Sequence, residues 1–137
     1  MENIVIFLQE QVLIVAALVI LIFAFLRKES AEGGSKLSLG EVVQAVNAEK
    51  AVLLDVRETK EFSKGHVANA INIAHSKVES SLNQLDKYRE KQIIVTDAMG
   101  QHAGTVSRML SKKGFNVARM RGGMSEWKQE GLPLVKA

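Results

Sequence analysis

Fifteen consecutive apolar residues, Val12–Leu26 (VLIVAALVILIFAFL), limit what this chain can become more than any other feature. A helix of this composition is apolar on every face, so it is ill suited to the surface of a water-soluble core. It also lacks the polar face that an interfacial helix needs. At 1.5 Å per residue the run covers about 22 Å, short of the roughly 30 Å of a bilayer's hydrocarbon. Ile4–Leu8 is apolar as well, and a helix counted from Ile4 reaches about 34 Å, enough to span with slight tilt. Gln9, Glu10 and Gln11 interrupt that stretch. Glu10 therefore falls inside the slab or near its edge, either snorkelling or protonated, or facing a partner helix.

The flanks separate an anchor from a cleaved signal peptide. A signal peptide has basic residues before its apolar stretch and a small-residue cleavage site after it. Here the leading segment carries Glu2 and Glu10, the basic pair Arg27–Lys28 follows, and FAFLRKES offers no good site. We expect a single uncleaved transmembrane anchor over residues 1–28. All 18 Lys and Arg residues lie at or after Arg27, against 13 acids in the same stretch. The positive-inside rule then places the remainder in the cytoplasm and the N-terminus outside. The expected location is the inner (plasma) membrane, with the lipid bilayer as one partner and another membrane or cytoplasmic protein as a second.

Residues 29–36 begin ESAEGGS, small and polar, and read as a flexible linker. Residues 37–137 are enough for one hydrophobic core. In that stretch short apolar runs alternate with helical patterns. Ser38-Leu-Gly-Glu41 is a capping box opening a helix to about Ala48. Ala51–Val56 and Gln92–Thr96 read as strands buried on both faces. Ala70–Ile73 and Asn116–Met120 are further strands, and one near Leu37 is possible. Glu58–Ser63 is a helical turn, and Lys77–Arg89, Ala103–Lys113 and Met124–Glu130 have helical spacing. This alternation argues an α/β fold with a parallel sheet covered on both faces. In such sheets ligands bind beyond the carboxyl ends of the strands. Those ends are Asp55-Val-Arg57, the loop Asp97–His102, and Arg121-Gly-Gly123.

Several motifs in these segments together resemble the single-domain rhodanese family over about residues 37–137. Leu54-Asp55-Val56-Arg57-Glu58 is similar to that family's LDVRE strand end. Glu61-Phe62, Gly65-His66-Val67 and Ala70-Ile71-Asn72-Ile73 are similar to its EF…GHIPGAINIP, with Ala68-Asn69 in place of Pro-Gly. Gly122-Gly123, Trp127, Gly131 and Pro133 are similar to its closing pattern. The resemblance implies a rhodanese-like five-stranded, mostly parallel sheet with helices on both faces, here preceded by one transmembrane helix. It also implies that the loop Asp97-Ala98-Met99-Gly100-Gln101-His102 corresponds to the active-site loop, roughly C-x-x-G-x-[RK]-[SA]. Gly100 and Ala103 fit that pattern. Asp97 stands where the family has its nucleophile, and His102 stands at the basic position.

The chain has no cysteine at all. Rhodanese chemistry passes sulfane sulfur through an enzyme persulfide, which needs a soft sulfur that both attacks and leaves. A carboxylate is hard and cannot store sulfur in this way. An aspartyl-phosphate enzyme would need Mg²⁺ and further carboxylates, and Asp55 is the only other acid placed at that end of the sheet. The loop curls into a helix N-terminus, so several N–H groups converge on one point and attract an anion. We expect Asp97 to act as an internal anion in that cradle.

Asp55, Arg57 and Arg121 are the candidate contacts for an anion or a partner, with Asp55 and Arg57 more naturally making hydrogen bonds at a strand end. His66 and Trp127 read as structural, and His102 as an exposed contact. No two histidines have metal-ligand spacing, so neither a metal nor another cofactor is expected. No aromatic–basic patch suggests nucleic acid. The expected function is a catalytically silent, membrane-anchored domain that binds a protein or a small anion. The alternative is sulfur transfer in which a partner supplies the cysteine.

Overall fold

The computed structural model describes residues 1–136, with residues 29–32 described by backbone alone. The chain divides into two units, Met1–Ala31 and Glu32–Ala137. The first is helix α1, Glu2–Glu32. Within it Glu2–Lys28 is long and apolar enough to cross a membrane, and none of its most apolar stretch is buried by the protein.

The second unit is a five-stranded sheet in the order β1-β5-β4-β2-β3, every adjacent pair parallel. Its strands are β1 (Ser35–Leu37), β2 (Ala51–Asp55), β3 (Ile71–Asn72), β4 (Gln92–Thr96) and β5 (Val117–Met120). The central strands β4 and β2 are almost wholly buried, as their unbroken apolar runs require. The helices are α2 (Leu39–Asn47), α3 (Thr59–Lys64), α4 (Ala103–Lys112) and α5 (Gly123–Gln129). Two cores lie on opposite faces of the sheet. Leu54, Ile93, Val95, Val106, Leu110 and Phe115 belong to one. Val42, Leu53, Ile94, Met120, Met124 and Trp127 belong to the other.

Local chemistry explains most boundaries. The Ser38 side chain accepts from the Glu41 N–H at 3.3 Å, so half of the capping box forms at the start of α2. Asn69 occupies the left-handed region at φ 64°, a conformation Asn tolerates better than most residues. It thus keeps the turn where Ala68-Asn69 replaces Pro-Gly.

Two expectations are corrected. Lys77–Arg89 is not one helix; it breaks into 3₁₀ turns at His75–Lys77, Glu79–Gln84 and Asp86–Tyr88. Ser81 sits at φ −119°, ψ 21° inside it, and Ser80, Ser81, Asn83 and Asp86 favour turns over helix interiors. The apolar spacing survives because Val78 and Leu85 are still fully buried. The stretch read as linker is mostly regular backbone. Helix α1 continues through Glu32 and β1 begins at Ser35, leaving only Gly33 and Gly34 between them. Gly34 takes φ 74°, and a Cβ there would meet the Val117 carbonyl oxygen at 2.2 Å. Glycine is thus required where the chain turns into the sheet.

Candidate functional site

At the carboxyl ends of β2 and β4, loops from three elements surround a cavity of about 410 Å³. Strand β4 ends at Thr96, and Asp97 opens the loop that leads to α4. The Asp97 side chain turns back into that loop. One carboxylate oxygen accepts from the Gly100 N–H; the other accepts from His102 N–H at 2.5 Å and Ala103 N–H at 3.2 Å. Gly100 takes φ 98°, which lets the loop fold round the carboxylate. Asp97 is only 3% exposed, so a buried charge is held almost entirely by backbone dipoles at the start of α4. This is the internal-anion arrangement expected from the sequence.

Helix α5 fixes the loop from the other side. The N–H of Met124 donates to the Asp97 carbonyl at 2.7 Å, and that of Ser125 to the Ala98 carbonyl at 2.9 Å. Gly123 permits the approach, since a Cβ there would meet the Asp97 carbonyl oxygen at 2.6 Å. The Arg121-Gly-Gly123 segment therefore contributes Gly123 to the packing of the loop. The Arg121 side chain is exposed and does not line the cavity, while its N–H bonds to the Leu37 carbonyl at 2.9 Å.

Asp55 and Arg57 form a buried pair at the end of β2. The Arg57 Nε donates to both Asp55 oxygens at 3.0 Å, and its Nη2 donates to Asp55 Oδ2 at 2.7 Å and to the Gly65 carbonyl at 2.9 Å. The Asn72 side chain donates to the carbonyls of Asp55 and Arg57, each at 3.0 Å. Strands β2 and β3 and the C-terminal end of α3 are thereby locked together. Arg57 still touches the cavity wall, yet its guanidinium is engaged. His66 is structural too: its ring stacks on Phe62 and its Nδ1 lies 2.9 Å from the Phe62 carbonyl. Trp127 is buried and donates from Nε1 to the Pro133 carbonyl at 3.1 Å.

Sequence reasoning missed four titratable side chains of the cavity: Glu58, Glu61, His75 and Lys128. His75 follows β3, whose carboxyl end opens on the same side as those of β2 and β4, and that rule alone would have found it. Its ring stacks on His102 with centroids 3.8 Å apart and planes 11° from parallel. Its Nδ1 lies 4.0 Å from Glu58 Oε1. Glu58 and Glu61 stand at the start of α3. The Lys64 ammonium, 2.9 Å from Glu61, holds that carboxyl below its ordinary range through a hydrogen bond and charge attraction. Glu61 thus stays ionised to lower pH than a free glutamate. Among the described residues no group of three or more His, Asp or Glu side chains is arranged to hold a metal ion.

Comparison with known proteins matches residues 38–130 to the rhodanese-like domain. The Escherichia coli protein YibN is 34% identical over 102 residues, covering 73% of this chain and 71% of its own length. Thiosulfate sulfurtransferase GlpE of Shewanella oneidensis is 26% identical, covering 66% of this chain and 89% of its own. A rhodanese-related protein of Thermoplasma volcanium superposes with a TM-score of 0.69 at 29% identity, covering 75% of this chain and 99% of that one. The shared sheet, the loop curling into α4 and this family match lead to one assignment: the chain belongs to the rhodanese-like domain family.

Proposed function

We propose that this protein is a membrane-anchored, catalytically silent rhodanese-like domain that works as a binding module at the cytoplasmic membrane face. One observation carries the reading. Where the family pattern has a cysteine, Asp97 occupies the position and its carboxylate takes the N–H groups that an incoming anion would use. With no cysteine anywhere in the sequence, no persulfide forms on this chain. The buried Asp55–Arg57 pair and the clamp from α5 keep the cavity shaped in the absence of that chemistry. The apolar span Glu2–Lys28 and the basic residues after it support the anchor and its orientation.

The test is a thiosulfate–cyanide assay on the full-length chain in detergent. We expect thiocyanate at the background rate. We expect Asp97→Cys to gain a persulfide on reaction with thiosulfate, because the cradle around the substituted position persists. Turnover by the unmodified chain overturns the proposal.

A further inference from the structure

We propose that the cavity binds the guanidinium group of an arginine side chain presented by a partner protein, a cation where the fold's loop is built for an anion. This deepens the binding-module reading and rests on it.

Three observations converge. First, the anion cradle is filled. The Asp97 carboxylate takes three of its N–H groups and adds a negative charge to the floor. Second, the arginine that lines the cavity is engaged. The Arg57 guanidinium is engaged by Asp55 and the Gly65 carbonyl. Glu61 is paired with Lys64 at 2.9 Å, and Lys128, which also lines the cavity, acts on Glu61 through charge alone. Glu58 differs: among the described residues its only charged contact is His75, at 4.0 Å. Glu58, its side chain largely exposed, therefore adds a second carboxylate to a cavity that Asp97 already lines.

Third, the wall supplies a flat surface. His75 and His102 stack as one imidazole block lining the cavity, and Met99, 70% exposed, adds an apolar thioether. A guanidinium is planar and weakly hydrated; it stacks on ring faces while its edge meets a carboxylate, and an ammonium does neither as well. A volume of about 410 Å³ admits one such side chain with room for its stem.

The experiment follows the imidazole signals of His75 and His102 by NMR in the full-length chain, reconstituted in lipid nanodiscs. The probes are a blocked arginine peptide, its lysine and citrulline counterparts, and thiosulfate. We expect saturable shifts with the arginine peptide, weaker ones with lysine, and none with citrulline or thiosulfate. Glu58 caps α3 without a side-chain hydrogen bond, so Glu58→Gln should leave α3 folded and both imidazole signals observable, with His75 shifted by the loss of its neighbouring charge. It should weaken arginine binding about fivefold, the scale of one exposed ion pair. Equal responses to lysine or citrulline, a comparable response to thiosulfate, or unchanged affinity in Glu58→Gln overturns the inference. Absent arginine binding together with absent thiocyanate turnover rejects this inference alone; turnover rejects the silent-domain reading beneath it.

Discussion

Removing the Asp97 carboxylate leaves three N–H groups without their acceptor. Each donor left unmet costs about 1–3 kcal/mol where it stays buried, and less where water replaces the carboxylate. Asp97→Ala should therefore melt lower than the native chain, and phosphate should restore part of the loss by occupying the freed cradle. Thermal denaturation with and without phosphate checks both, and the native chain should gain nothing from the anion. Arg57 illustrates the opposite arrangement, a charge consumed by its neighbour two residues away. The sequence motif located both residues. The inward turn of Asp97 was legible too, because a carboxylate beside converging N–H groups has no better partner. His75 was within reach of the strand-end rule, since it follows β3; what no motif records is its ring-to-ring contact with His102, 27 positions along the chain and on another loop.

Helix α5 works through its backbone. Its first N–H groups bond the carbonyls of Asp97 and Ala98, and Gly123, at φ 62°, makes room for them. Gly123→Ala forces a left-handed alanine against the Asp97 carbonyl. The expected loss is about 1–3 kcal/mol, with faster amide exchange at Gly100 and His102 as the loop loosens. Unchanged exchange would mean that α5 does not hold the loop. The strands were legible because a doubly covered parallel sheet leaves an unbroken apolar imprint. The stretch from His75 to Tyr88 was less so: apolar spacing reports which side chains are buried, and a chain of 3₁₀ turns buries Val78 and Leu85 as well as a helix would. The segment after Arg27 misled for a related reason. Polar, small residues look like a linker, yet β1 is added to the sheet by backbone pairing with β5, which composition does not record.

At the scale of the whole molecule two materials meet. One is a helix whose apolar side chains stay exposed along its length; the other is a sheet domain with two closed cores. Their division was plain in the sequence, because an apolar run of fifteen residues has few other uses. The central claim is that the sheet domain keeps the shape of an anion cradle while Asp97 fills it. A thiosulfate titration of the full-length chain in nanodiscs, read at the amides of Gly100, His102 and Ala103, tests this most directly. The native chain should show no saturable shift at these amides, and Asp97→Ala should show one. Saturable shifts at all three amides of the native chain, with the anion displacing the carboxylate, would contradict the account.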